Sequence, residues 1–304
     1  MNPDAPRLPG SPNSAGYRGR LAPSPTGHLH LGHARTFWIA FERARSHSGA
    51  LALRNEDLDP QRSRAEFVSS FVEDLRWLGI DWQEGPDVGG PFGPYSQSGR
   101  REFYLSAWRG LVASASVYPC VCSRKDLARS AQAPHEQQHA DDEPLYPGTC
   151  RPPEGSPPLS VEHPGGVNWR FRVPDGESID FVDLKQGRQA FTAGRDFGDF
   201  LVWRRDDVPA YQLACAADDA LMRITEVVRG ADLLKSTARQ ILLQRALRYP
   251  TPDYFHCDLV TDERGERLAK RHAALSLRAL RERGLTPAEV RALFGATGPA
   301  APAG

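Results

Sequence analysis

Lysine is scarce. Lys125, Lys185, Lys235 and Lys270 are the only ones, and arginine supplies the rest of the 38 basic side chains. Acidic residues also number 38, so the net charge is zero. That excludes a diffuse basic coat for nucleic acid, and any RNA contact has to come from a local patch. No run of 18 apolar residues occurs, which excludes a helical membrane span. The opening stretch, MNPDAPRLPGSPNSAG, has no apolar segment of the kind a secretory signal needs. Cysteine is limited to five residues, an odd number. A disulfide scaffold is not expected from it; a reduced, cytoplasmic protein with a candidate metal site fits better.

What is present describes a folded enzyme-sized chain. Its 304 residues, 40% hydrophobic, suffice for one large domain or a catalytic core with a small insert. A strand from about residue 18 leads into the loop Pro23-Ser24-Pro25-Thr26-Gly27. A helix then begins near His33, with Phe37, Phe41 and Ala44 at helical spacing. Residues 50–54 read as a short strand. Ser63 and Glu66 are spaced as a capping box before Phe67, Phe71, Leu75 and Leu78. Another helix is expected over residues 100–117. Strands alternating with helices predict a parallel α/β sheet. The middle differs. Residues 129–166 are rich in Pro, Gly, His and acids and read as a flexible excursion. Val167, Trp169, Phe171 and Val173 then alternate, as does the segment 179–184, which predicts a small antiparallel insert. Helix returns over 236–247 with Ser236 as N-cap, and Thr286, Pro287 and Glu289 mark the start of a last helix.

His30-Leu31-Gly32-His33 lies where loop becomes helix. A helix N-terminus offers unpaired N–H groups and a positive dipole end, so anions settle there. Gly32 lets a nucleotide approach the backbone, and the flanking imidazoles can donate to phosphate oxygens as charge grows. By itself the pattern also fits two surface histidines ahead of a helix. Cys120, Cys122 and Cys150 offer three thiolates of the kind zinc prefers; buried, metal-free cysteines are the alternative. His135 and His139 are chemically suited to be a fourth ligand. Cys215 and Cys257 stand singly in apolar segments and are expected in the core.

The stretch RLAPSPTGHLHLGH at residues 20–33 closely resembles the first motif of glutamyl-tRNA synthetases. LRNEDLD at 53–59, WLGIDW at 77–82, VRGAD at 228–232 and TARQILL at 237–243 resemble later segments of the same family, so the resemblance spans residues 18 to 280. It is greatest to a shorter bacterial branch, the glutamyl-Q tRNA(Asp) synthetases, which attach glutamate to the queuosine base in the anticodon of tRNA(Asp).

The resemblance implies a fold: a Rossmann-type parallel-sheet catalytic domain with a small inserted zinc-containing subdomain, a short helical C-terminal part and no anticodon-binding domain. The expected divisions are a disordered tail at 1–16, catalytic halves at 17–117 and 196–280, the insert at 118–195, and a C-terminal helix and tail at 281–304. It implies a site as well. His30, Gly32, His33 and Lys270 would handle ATP with Mg2+, and His30, His33 and Lys270 would be catalytic. Arg20, Leu21, Ala22, Pro23, Ser24, Glu56, Tyr211 and Arg229 would hold glutamate. Cys120, Cys122, Tyr146 and Cys150 would hold a structural Zn2+.

Two of these implications have independent chemistry. Glu56 at a strand end can take an ammonium, and an arginine can grip a carboxylate with two parallel bonds. Pro23-Ser24-Pro25-Thr26 has the glutamyl form of the loop, where glutaminyl relatives tend to carry Pro-Glu-Pro-Asn. Lys270 sits in Arg267-Leu268-Ala269-Lys270-Arg271, at the place of the Lys-Met-Ser-Lys-Ser loop of class I synthetases. A mobile ammonium there can follow the departing phosphates. Arg267 for lysine and Ala269 for serine depart from the pattern and put loop closure in doubt. The function implied is tRNA-independent glutamate activation and transfer to queuosine-bearing tRNA(Asp), by a cytoplasmic monomer. The alternatives are a truncated glutamyl-tRNA synthetase charging a 3′ end and a non-catalytic tRNA-binding paralogue.

Overall fold

The structure, a computed structural model, describes residues 16–123, 126, 145–157, 159–260 and 276–296. The Arg267–Lys270 loop, His135 and His139, and the tails lie outside the described residues.

Strand β1 (Arg18–Leu21) pairs in parallel with β2 (Ala50–Leu53), Arg18 opposite Ala50 and Leu21 opposite Leu53. Between them runs α1 (Leu31–Ser46), which buries Phe37, Ala40 and Ala44 on one face. The return is tight: a Cβ on Gly49 would lie 2.5 Å from the Tyr17 carbonyl oxygen, so only glycine fits. Helix α2 (Ala65–Leu78) buries Phe71, Leu75 and Leu78 against this half. After α3 (Arg101–Ala113), β3 (Val117–Cys120), β4 (Asn168–Phe171) and β7 (Phe200–Trp203) form an antiparallel sheet in the order β3-β4-β7. Strands β5 (Ser178–Asp183) and β6 (Gly187–Thr192) make a hairpin. Helix α4 (Tyr211–Leu221) leads to β8 (Glu226–Gly230), then α5 (Leu234–Leu247) and β9 (Asp253–Cys257), which is parallel to β8. The chain closes with α6 (Leu277–Glu282) and α7 (Pro287–Ala296).

The Thr225 N–H bonds the Arg18 carbonyl at 2.9 Å, and the Arg20 guanidinium bonds the Val228 carbonyl at 2.8 Å. These contacts set the β1/β2 pair beside β8/β9 with all four strands pointing one way. In such α/β sheets ligands bind beyond the C-terminal strand ends, and here those ends carry Ala22, Arg54 and Arg229 toward one side.

Several expectations change. The Ser63 box does not form: Ser63 gives its N–H to Asp59, and α2 starts at Ala65 with Arg64 as an uncapped N-cap. Ser236 is not an N-cap either. A 3-10 turn at Ala231–Leu233 feeds directly into α5, so the helix starts at Leu234 and the Ser236 hydroxyl accepts from Gln212 at 2.8 Å. The helix predicted over 100–117 stops at Ala113, because Ala115 turns left-handed (φ 52°) and Val117 already belongs to β3. Thr286 and Glu289 do cap α7 reciprocally, at 2.7 and 3.3 Å. The antiparallel middle is correct for β4, but β5 also joins the parallel sheet, with Asp183 opposite Tyr254 of β9.

The larger core centres on Trp108, Trp169 and Trp203, all buried. Trp108 meets Trp169 edge-to-face, with ring centroids 4.9 Å apart. Trp108→Ala is expected to cost about 3–5 kcal/mol. Urea unfolding checks this, and an unchanged midpoint would show that the indole is dispensable.

Candidate active site

A cleft of about 410 Å³ opens beyond the parallel strands, lined by Arg20, Ala22, Pro23, Ser24, His30, Gly32, His33, Glu56, Tyr211 and Arg229. These residues come from β1 and its loop, the start of α1, the end of β2, the first turn of α4 and β8. Leu21 is set apart: its side chain is fully buried in the core, and only its carbonyl takes part, accepting the Arg54 N–H at 2.8 Å. Lys270 lies outside the described residues.

The two histidines form an unusual cap for α1. Nδ1 of His30 accepts the Gly32 N–H at 3.1 Å, and Nδ1 of His33 faces the His30 N–H at 3.5 Å. The rings stack with centroids 3.7 Å apart. Since both Nδ1 atoms accept, the neutral rings carry their protons on Nε2. Gly32 suits this packing, because a Cβ there would lie 3.0 Å from the His30 ring and would require the ring to shift.

Beneath the cleft lies a buried charge cluster. Arg54, fully buried, bonds Asp219 at 2.7 Å and Glu56 at 2.9 Å. Arg20 reaches Asp219 at 3.5 Å, and Arg100 bonds Asp218 at 2.6 Å. Gln97 and Tyr104 complete the Asp218 carboxylate at 2.8 and 2.9 Å. Three guanidiniums thus meet three carboxylates. Burial alone would push the Asp219 pKa up, but Arg54 and Arg20 hold it below its ordinary value. Arg54 stays firmly charged for the converse reason. Glu56 uses Oε1 for Arg54 and for the Cys215 thiol at 3.5 Å, while Oε2 has no hydrogen-bond partner among the described residues.

Arg229, 5% exposed, is the charge outside this balance. Its guanidinium bonds His256 Nε2 at 3.1 Å, Gln240 Oε1 at 2.9 Å, Thr237 Oγ1 at 2.7 Å and the Leu233 carbonyl at 3.4 Å. All four acceptors are neutral groups, and no described carboxylate is within ion-pair distance. A guanidinium has five N–H donors, so one N–H on Nη1 is left over. The two-bond grip expected from sequence is therefore not available as the side chain stands.

A second cleft of about 380 Å³ shares Ser24, Thr26, Glu56, Arg62 and Tyr211 with the first and adds Arg204 and Arg239. Tyr211, 39% exposed, stands between the two.

At the far end of β3 the Sγ atoms of Cys120, Cys122 and Cys150 lie within 4.8 Å of one another. The Tyr146 hydroxyl lies 3.4 Å from Cys120 Sγ and 3.6 Å from Cys122 Sγ, and accepts the Cys150 N–H at 2.8 Å. A tetrahedral zinc with bonds of about 2.3 Å sets its sulfurs roughly 3.8 Å apart; Cys122 and Cys150 are 3.6 Å apart. The three thiols fit such an ion, and the Tyr146 hydroxyl lies close enough to them to be a candidate fourth donor. Burial opposes the Cys150 thiolate, yet hydrogen bonds from Tyr146, the Val121 N–H and the other thiols outweigh it and bring its pKa to about 7. Burial and the same thiols push the Tyr146 phenol up. Arg170, buried, donates to Cys120 Sγ at 3.4 Å and covers the Tyr146 ring at 4.0 Å, offsetting thiolate charge. Cys215 and Cys257 are core residues, each 2% exposed.

Sequence reasoning missed Arg54, Asp218, Asp219, Asp183 and His256. The adjacent acids in the apolar helix YQLACAADDAL were a usable signal, since acids in an apolar helix are kept only when paired. Nothing marked Asp183 or His256.

A parallel sheet with a cleft beyond its strand ends, and a helix N-terminus at that cleft, is an arrangement α/β enzymes use to bind nucleotides. The profile of tRNA synthetases class I (E and Q), catalytic domain, matches residues 17–300, and the chain belongs to that family of ligase-type enzymes. It is 50% identical over 273 residues to the glutamyl-Q tRNA(Asp) synthetase of Symbiobacterium thermophilum, covering 90% of this chain and 83% of that protein. It is 45% identical over 278 residues to glutamate–tRNA ligase 2 of Nitrosococcus oceani, covering 90% of this chain and 58% of that one. Among solved structures, the glutamate tRNA ligase of Elizabethkingia meningosepticum in complex with its amino acid superposes with a TM-score of 0.71 at 29% identity, over 84% of this chain and 52% of that one. The chain thus spans about half the length of that solved ligase.

The cysteine cluster gives a direct prediction. Protein purified without added metal should carry about one zinc per chain, and chelation should lower its melting temperature. Metal analysis decides; a folded, metal-free protein would dismiss the site. Full zinc retention in Tyr146→Phe would move the fourth ligand to His135, His139 or water.

Proposed function

We propose that the protein activates L-glutamate with ATP, independently of tRNA, and transfers it to the queuosine base in the anticodon of tRNA(Asp). The name of the relative at 50% identity supports the acceptor. The observation that carries the amino-acid choice is electrostatic. The cluster of Arg20, Arg54, Arg100, Glu56, Asp218 and Asp219 is balanced, and Arg229 adds a buried guanidinium with no described carboxylate within ion-pair distance, its link to Asp183 running through the neutral His256 ring. Glutamate as a zwitterion has two carboxylates and one ammonium, a net charge of minus one. Glutamine is neutral and would leave Arg229 without a direct anionic partner, which a buried site penalises. In this reading the ammonium goes to Oε2 of Glu56, and Arg229 and Arg20 face the carboxylates.

In the first step a glutamate carboxylate oxygen attacks the α-phosphorus of ATP, bound as its Mg2+ complex, and pyrophosphate leaves. His30 and His33 would donate from Nε2 to the phosphate oxygens at the N-terminus of α1. Lys270 would follow the departing pyrophosphate. In the second step a hydroxyl of the queuosine cyclopentenediol attacks the adenylate carbonyl, an ester forms and AMP leaves. Loop bases are unpaired and can be splayed out of the RNA. The second cleft, with Arg62, Arg204 and Arg239, is the entry this reading gives to the base.

Arg229→Ala is expected to cost about 2–5 kcal/mol, roughly 30- to 4,000-fold in glutamate activation. Glutamate-dependent ATP–pyrophosphate exchange without RNA measures it. Absence of exchange in the wild-type protein refutes the activation reading, and an unchanged preference for glutamate over glutamine in the variant refutes the assignment of Arg229.

The acceptor is tested separately. tRNA(Asp) that carries queuosine but has its 3′ end trimmed enzymatically should still accept labelled glutamate, and queuosine-free tRNA(Asp) should not. The opposite pattern would make this a 3′-charging enzyme.

A further inference from the structure

We infer that Asp183 and His256 are positioning residues that fix Arg229 in the glutamate site by presenting a bare imidazole nitrogen to it. This rests on the reading of Arg229 as a carboxylate partner. Asp183 ends β5, and His256 lies in β9 next to the Arg229 register position. Both are buried, at 1% and 0% exposure. Oδ1 of Asp183 accepts the N–H groups of Lys185 at 2.9 Å and Gln186 at 2.7 Å. Oδ2 lies 2.6 Å from His256 Nδ1 and also accepts the His256 backbone N–H at 3.1 Å. An ionised carboxylate only accepts, so the imidazole proton sits on Nδ1 and Nε2 is left as an acceptor. That nitrogen faces the Arg229 Nε–H at 3.1 Å and the Thr237 hydroxyl at 3.1 Å.

The surroundings keep the ring neutral. Burial and the charges of Arg229 and Arg20 oppose a second proton, while Asp183 favours it, and the net effect lies below the ordinary histidine value. From α5 the neighbours are the uncharged Thr237 and, through Arg229, Gln240. Gln186 donates to the His256 carbonyl at 2.9 Å and holds the strand in place. A protonated Nε2 would point a donor at a donor and set two cations together.

A buried carboxylate–imidazole pair is a poor way to stabilise a core, since apolar residues of the same size do as well. Its value here is geometric. Arginine loses much rotamer freedom when fixed, and a guanidinium anchored at Nε and both Nη atoms loses it on folding instead of on binding. The remaining Nη1–H is then already held in place when glutamate arrives.

The test uses the full chain and glutamate-dependent ATP–pyrophosphate exchange. Asp183→Asn keeps the size but turns an amide N–H toward Nδ1, which moves the imidazole proton to Nε2. His256→Ala removes the acceptor, and His256→Gln restores one as an amide oxygen. Asp183→Asn and His256→Ala should raise the glutamate KM by about tenfold or more, with kcat and the ATP KM changing less than about twofold. His256→Gln should recover part of the loss. Nitrogen-15 NMR of the histidines should show Nδ1 protonated in the wild-type protein, a readout that stands even if Asp183→Asn fails to fold. An unchanged glutamate KM in folded variants, equal losses in kcat and ATP KM, or a wild-type proton on Nε2 would each overturn the inference. A wild-type protein without glutamate-dependent exchange would remove the glutamate reading and this inference together; wild-type exchange with unaffected variants removes the inference alone.

Discussion

A guanidinium taken out of water costs several kcal/mol unless carboxylates and further hydrogen bonds surround it, and Arg54 is taken out of water completely. Its partners come from separate parts of the chain: Glu56 two residues on, and Asp219 on α4. Asp218, the neighbouring residue of that helix, holds Arg100 at the start of α3. The end of β2, the start of α3 and the middle of α4 are therefore fixed to one another by charge pairs that none of them can abandon singly. Breaking such a pair from one side costs about 3–5 kcal/mol because the other charge stays buried. The walls of the cleft inherit that rigidity. Glu56 is held by Oε1 with Oε2 turned away from Arg54, and Tyr211 opens the helix that Asp218 and Asp219 anchor.

This arrangement explains how a site can be charged and still selective. A cleft lined with loose arginines would attract any anion. Here three guanidiniums are neutralised by three carboxylates, and in the proposed reading the groups left for the amino acid are Arg229, which has no described carboxylate within ion-pair distance, and one oxygen of Glu56. Selectivity is then a matter of unpaired groups, where a wrong ligand leaves a buried charge unsatisfied, and such penalties exceed those from shape alone.

The sequence was legible where local chemistry dictates local structure. The Pro-Gly loop, the histidines at the start of α1 and the Thr286–Glu289 cap depend on neighbours a few residues away. The motif strings carry Arg20, Ser24, Glu56 and Arg229, which line one cleft together with Tyr211, a residue supplied by the family resemblance alone. Where it misled, a distant partner had won. Ser236 reads as a cap, but the preceding 3-10 turn makes the helix start earlier and Gln212 takes the hydroxyl. The segment 179–184 alternates like an ordinary hairpin strand, and nothing in its pattern says that Asp183 will reach to a histidine of β9, 73 positions away. Leu21 lies within the motif, yet its side chain belongs to the core and only its backbone serves the site.

The cysteine cluster and the second cleft are also joined by one sheet. Cys120 ends β3, Arg170 of β4 bonds both Cys120 and the Asp199 carbonyl, and Asp199 accepts the hydroxyl of Tyr118 and the N–H of Val173. The next residues, Phe200 and Leu201 of β7, line the second cleft. An ion holding Cys120, Cys122 and Cys150 would therefore fix the edge of a three-stranded sheet whose opposite strand faces the proposed base site. The first cleft, the proposed glutamate site, is built on different strands, β1, β2 and β8. Order imposed by the metal would thus act on the acceptor side, while the buried arginine–carboxylate cluster governs the amino-acid side. The two halves of the reaction would then rest on separate supports, one of coordinated sulfur and one of paired charge, meeting at Glu56 and Tyr211.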